Sequence, residues 1–139
     1  MATYRILSAL LCHRYERNGG DYNLFGAGFA SLETTSFPAA GPLAAAVTSA
    51  RVDDHSFSPN ESASITVDMR YPDGSSRAMG EHTFIEADNP VAIRPVVLTL
   101  VVDLEFVAHE PGLHQVIASI SAGEAPLALP FVVRPLGWS

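Results

Sequence analysis

The chain has no lysine. Its eight basic residues are all arginine and face fifteen carboxylates, for a formal net charge of −7. Codon bias in a GC-rich genome accounts for the missing lysine and fits the alanine, glycine and proline content; selection against lysine-directed modification is the alternative. Charge of either sign is scarce: 17% of residues carry one, against roughly 25% in ordinary globular chains. An acidic chain with no arginine cluster repels phosphate backbones, which excludes nucleic acid as a partner. A single cysteine, Cys12, excludes an intramolecular disulfide, and a disulfide-free chain suits a reducing, cytoplasmic setting. No apolar run is long enough to cross a bilayer as a helix. The run Ile6–Cys12 meets His13, Arg14, Glu16 and Arg17 at once, with no small-residue cleavage site, so it does not read as a signal peptide. A soluble protein without a membrane partner is expected.

The 139 residues fit one domain, and apolar side chains make up 47% of them. So apolar a chain is expected both to build a thick core and to hide a face against a partner.

Period-2 patterning dominates. Over Glu61–Tyr71, Ala63, Ile65, Val67, Met69 and Tyr71 alternate with Ser62, Ser64, Thr66, Asp68 and Arg70, which predicts a half-buried antiparallel strand. Pro72-Asp73-Gly74 then turns the chain into a partner strand over Arg77–Glu86. From Val96 the sequence predicts three more strands, Val96–Val107, Leu113–Ser121 and Leu127–Val133, cornered at Pro111-Gly112 and Ala122-Gly123-Glu124. At the other end Tyr4–His13 is apolar on both faces and reads as a central strand. Asn18-Gly19-Gly20-Asp21 returns it as one strand over Tyr22–Leu32, with Gly26 and Gly28 on one face leaving room for a bulge. Thr34–Pro42 reads as loop. Leu43–Val52 is alanine-rich, but Val47, Thr48 and Val52 and the all-β context favour a strand. Asp53–Asn60 and Ala87–Pro95 read as polar loops, and Trp138 as docked on the body of the domain. The expectation is all-β: a single antiparallel β-sandwich of about eight strands, immunoglobulin-like or jelly-roll-like.

No catalytic set assembles. Cys12 and His13, adjacent in a strand, point to opposite faces. Gly26-Ala27-Gly28 lacks the helix that a phosphate-binding loop requires, and no nucleophile elbow occurs. Asp103 and Glu105 share the polar side of a strand whose other side is Val102, Leu104 and Phe106, as a solvated face or a guarded edge would. Imidazole and carboxylate cluster at Asp53-Asp54-His55 and at His109-Glu110-Pro111-Gly112-Leu113-His114. The metal candidates are therefore Asp53, Asp54, His55, His109 and His114, at spacings that match no helical or zinc-finger pattern. No cofactor is expected.

The succession of Leu10-Leu11-Cys12, Leu24-Phe25-Gly26-Ala27-Gly28, Phe37-Pro38, Tyr71-Pro72-Asp73-Gly74, Pro111-Gly112 and Pro130-Phe131-Val132-Val133 resembles a family of small, uncharacterised bacterial β-sandwich domains, often encoded as stand-alone proteins. The resemblance spans nearly the whole chain and implies the fold, with no activity, cofactor or catalytic residue. The function expected from the residues is a non-enzymatic binding or assembly module, acting on a second copy or a protein partner through a sheet face or edge. The alternatives are a small ligand- or metal-binding sandwich, or a hydrolytic one, with a loop-end site, and a structural component of a phage or secretion-type assembly.

Overall fold

The structure, a computed structural model, describes residues 4–19, 21–51, 62–85, 97–121 and 126–136. Among these there is no helix, and so none long and apolar enough to cross a membrane. Ten strands are present: β1 Tyr4–Cys12, β2 Arg14–Asn18, β3 Asp21–Phe25, β4 Ser31–Thr34, β5 Ala39–Arg51, β6 Ser62–Arg70, β7 Ser76–Ile85, β8 Val97–Ala108, β9 Gly112–Ile120 and β10 Leu127–Pro135. They form a three-stranded sheet in the order β1-β5-β8, a five-stranded sheet in the order β4-β10-β9-β6-β7, and a ribbon of β2 and β3.

One hydrophobic core joins the two larger sheets. Ala9, Leu11, Leu43, Ala45, Val47, Leu104 and Phe106 come from the three-stranded sheet; Ile65, Val67, Met69, Val116, Ala118, Phe131 and Val133 come from the other. The alternation expected for β6 holds: Ile65, Val67 and Met69 are fully buried, and Thr66 and Asp68 are not. The β6–β7 hairpin closes at Tyr71–Ser75, where the Gly74 amide donates to the Tyr71 carbonyl at 3.0 Å and Gly74 takes a φ of 88°. Leu43–Arg51 is strand, as its β-branched residues favoured.

Four expectations are corrected. First, β1 is an edge strand, pairing with β5 on one side only. Its inward residues Ala9 and Leu11 are buried, but Leu10 is 46% exposed and Leu7, at a bulge between Ile6 and Ser8, is 52% exposed. Second, Tyr22–Leu32 is not one strand. Gly26 and Gly28 both take positive φ and break it into β3 and β4. The freed peptides bond back across the break, the His13 amide to the Phe25 carbonyl and the Gly28 amide to the Leu11 carbonyl. Third, Thr34–Pro42 is not all loop: β5 begins at Ala39. Pro42 fits there because β1 reaches only Ala44, so that this stretch of β5 is flanked by β8 alone and needs no amide donor on its other side. Fourth, the pairing is not wholly antiparallel, since β4 runs parallel to β10. The loops Asp53–Asn60 and Ala87–Pro95, the turn at Ala122 and Trp138 lie outside the described residues.

Gly26 and Gly19 separate two demands on glycine. Both sit at positive φ, but a β-carbon on Gly19 would meet nothing, whereas one on Gly26 would run into the His13 ring. Gly19→Ala should therefore cost only the left-handed conformation, about 1–2 kcal/mol. Gly26→Ala should cost more, about 2–4 kcal/mol once the ring is displaced. Urea unfolding of both variants measures the difference, and equal losses would show that the close approach to His13 contributes nothing.

Candidate functional site

Two regions gather polar or uncovered side chains. The first is the end of the domain where the β6–β7 turn meets the β8–β9 corner. There Tyr71, Asp73, Ser75, Arg77, His109, Glu110 and His114 line a depression of about 400 Å³. Asp73 accepts from the Ser75 hydroxyl at 2.6 Å and from its amide at 2.8 Å, and these bonds hold its carboxyl below the usual range. His109 is exposed at the corner. His114 is the opposite, at 0% exposure. Its ring stacks on Phe131 at 5.4 Å and meets Tyr71 and Phe106 edge-on. Nδ1 lies 3.1 Å from the Gly112 carbonyl, which makes Nδ1 the donor and leaves Nε2 the acceptor of a neutral ring. That Nε2 finds no partner among the described residues.

Of the residues expected as metal candidates, His109 and His114 thus border one depression, together with Asp73 and Glu110, which the expected cluster did not fully include. Asp53, Asp54 and His55 lie outside the described residues. Among the described residues no three His, Cys, Asp or Glu side chains converge in a way that could hold a metal ion. His114 is also not at the surface. It is a core residue, because β9 alternates from it through Val116 and Ala118 to Ile120 on the buried side.

The second region is the outer face of the three-stranded sheet. Register places its residues in rows: Ser8, Thr48 and Thr99; Leu10, Ala46 and Val101; Cys12, Ala44 and Asp103. The first row is tied by a 3.0 Å hydrogen bond between the Thr48 and Thr99 hydroxyls. The second is apolar and open at Leu10. In the third, Cys12 and Ala44 are 0% and 1% exposed although they point away from the core. Tyr15 of the β2–β3 ribbon donates to Asp103 Oδ2 at 3.0 Å, which brings the ribbon over this row. That bond holds the Tyr15 phenol above its usual range, with burial adding to it; burial, and then the Asp103 charge, push the Cys12 thiol up. Cys12 is therefore an unreactive, protonated thiol where it stands.

The exposed Leu7 and Leu10 and the Tyr15–Asp103 bond were not legible in the sequence. An apolar run looks the same in a central strand and in an edge strand whose outer face is uncovered, and the hydrogen bond joins residues 88 positions apart.

No family model matches the chain, and no curated protein matches it significantly. Among solved structures it is similar to a β-glucosidase from Listeria innocua, with a TM-score of 0.50 at 16% identity over 75% of this chain and 14% of that one. It is also similar to the Pseudomonas fluorescens alkylpurine DNA glycosylase AlkC, solved bound to DNA containing an abasic site analogue, with a TM-score of 0.53 at 10% identity over 94% of this chain and 30% of that one. The chain spans less than a third of either protein. At these identities the likeness concerns the fold alone.

His114 makes stability pH-dependent. Burial, its largest influence, lowers its proton affinity, against smaller opposing effects of the Gly112 carbonyl and Glu110. The unfolded imidazole takes its proton near pH 6.5, while the folded ring does so only at lower pH. Its contribution is therefore full above about pH 6.5, falls as pH drops below that, and levels off once the folded ring itself is protonated. Urea midpoints between pH 8 and pH 5 should fall more steeply for the wild type than for His114→Leu; parallel curves would rule out this role.

Proposed function

We propose that this protein is a non-enzymatic binding or assembly module, a single β-sandwich that engages a second copy or a protein partner through the edge and outer face of its three-stranded sheet. The observation that carries this reading is the exposure of Leu7 and Leu10 on edge strand β1. A comparison of the four sheet edges supports it. β7 carries Arg77, Glu81 and His82, β8 carries Asp103 and Glu105, and β4 is only four residues long with Glu33 at its third position. Charges and shortness of this kind keep an edge from pairing with another chain. Over Ile6–Cys12, β1 has no charge; its protective devices are Arg5 at its start and the bulge after Ile6. The two facing sheets with one shared core support the sandwich, and the single unpaired thiol suits a cytoplasmic setting.

The similar solved structures are much longer proteins in which this fold is one part, and that too suits a module built to dock. The DNA in the glycosylase structure belongs to that protein; a charge of −7 argues against nucleic acid here. A structural role in a phage or secretion-type assembly is the same surface used repeatedly.

The depression around His109 and His114 favours a second reading, a small-ligand site at the loop end. Metal analysis of protein purified without a histidine tag tests its metal-binding form, which requires a stoichiometric ion.

Light scattering behind size-exclusion chromatography tests the first. The wild type should exceed the 14.8 kDa of one chain at high concentration, or carry a co-purifying partner, and Leu10→Glu should abolish either without lowering the unfolding midpoint. A strict monomer with no partner would overturn the reading.

A further inference from the structure

The β2–β3 ribbon is built to stand by itself. Register pairs Tyr15 with Leu24 and Arg17 with Tyr22 on one face, and Arg14 with Phe25 and Glu16 with Asn23 on the other. Cross-strand contacts tie it internally. The Arg14 guanidinium lies 4.0 Å from the Phe25 ring centre, and the Tyr15 and Tyr22 rings meet edge-on at 6.0 Å. Among the described residues the ribbon pairs its backbone with neither larger sheet. It leaves the body at two points, His13 on one side and Gly26-Ala27-Gly28 on the other, where both glycines take positive φ. The stacking of His13 on Phe29 at 4.6 Å fixes that base.

Beyond the base, the hydrogen bond that ties ribbon to sheet among the described residues is Tyr15–Asp103, between a half-buried tyrosine and an exposed aspartate. Beside that bond the ribbon does not close tightly. A groove of about 530 Å³ runs along it, lined by His13, Arg14, Tyr15, Pro42, Asp103 and Leu104. Cys12 and Ala44, in the register row of Asp103, are buried on a face whose next row, at Leu10, is open.

We infer that the β2–β3 ribbon is a hinged strap over one end of the docking face, latched by the Tyr15–Asp103 hydrogen bond, so that its opening extends the apolar row at Leu10 by the row at Cys12. The hinge is the pair of positive-φ glycines with His13, and a second copy of this chain, pairing through the uncharged Ile6–Cys12 edge, is favoured by the open strap. The use of the motion rests on the docking role proposed above; the motion itself does not.

The single thiol reports the strap directly, because N-ethylmaleimide reaches Cys12 only when the ribbon lifts. In wild-type protein, labelling followed by mass spectrometry should be slow relative to urea-unfolded protein and only weakly urea-dependent below the unfolding transition, as for a local opening. Tyr15→Phe removes one hydroxyl and should speed labelling roughly tenfold, the value of a hydrogen bond to a charged group discounted for exposure, with the global midpoint little changed. Hydrogen exchange of the amides from Arg14 to Phe25 should quicken in step. Light scattering under the same conditions should show Tyr15→Phe associating at lower concentration than the wild type. Labelling of Tyr15→Phe at the wild-type rate, or wild-type labelling with the full urea dependence of global unfolding, overturns the strap. Quickened labelling with unchanged association overturns its coupling to the face. If nothing associates at all while labelling still quickens, the strap stands and the docking role falls.

Discussion

Phe131 is the residue through which most of this structure holds together. It stacks on His114, meets Phe106 of the opposite sheet edge-on at 5.4 Å, and meets Phe29 edge-on at 6.0 Å. Phe29 in turn carries His13. A continuous series of rings therefore runs from Tyr71 at the β6–β7 turn, through the core, to the base of the β2–β3 ribbon. Aromatic edges and faces attract in fixed geometries, so the series sets the distance between the sheets and the position from which the ribbon departs. It also explains how a histidine is tolerated at 0% exposure. Rings surround it, one carbonyl fixes its tautomer, and the cost of burial falls most heavily on its charged form.

Around this spine the two sheets are unequal. Five strands face three, and the narrow sheet has alanine at positions 44, 45 and 46 of its central strand. Small side chains there let the neighbouring strands dominate both surfaces, Leu11 and Leu104 inward and Leu10 and Val101 outward. The inward surface is consumed by the core. The outward one is tied to the ribbon at Asp103 and is open at Leu10, so the proposed docking role falls to this face and not to the polar outer side of β6 with Thr66 and Asp68.

Much of this was legible in the sequence, for reasons that differ by element. The β6 strand, its hairpin and the inward side of β8 follow from alternation, since a sheet with one wet face must alternate. The strand nature of Leu43–Arg51 was readable from β-branching in spite of its alanines. Alternation does not report neighbours, so β1 looked central when it is an edge. Nor does it report a break made by backbone conformation. Gly26 and Gly28 were noticed as a packing feature, and the close approach of His13 to Gly26 is one, but the positive φ that separates β3 from β4 leaves no mark on the alternation of side chains. Pro42 misled for a similar reason, because a proline is tolerated wherever the adjoining strand has already ended. At the candidate sites, the corner of His109 and His114 was identifiable as a pair of residues, while their division into one exposed and one buried ring depends on which side of β9 faces the core.

The parallel pairing of β4 with β10 has a consequence for the order of assembly. β4 is made early in the chain, yet its hydrogen-bonding partner is the last strand described. The β6–β7 hairpin can form from local sequence, whereas β4 must wait unpaired until β9 has placed β10 beside it. Pairings this distant are reached late and slow the folding of β-rich chains. Four residues with a carboxylate among them are a safe length for a strand that waits, so the brevity of β4 serves the protein during synthesis as much as afterwards.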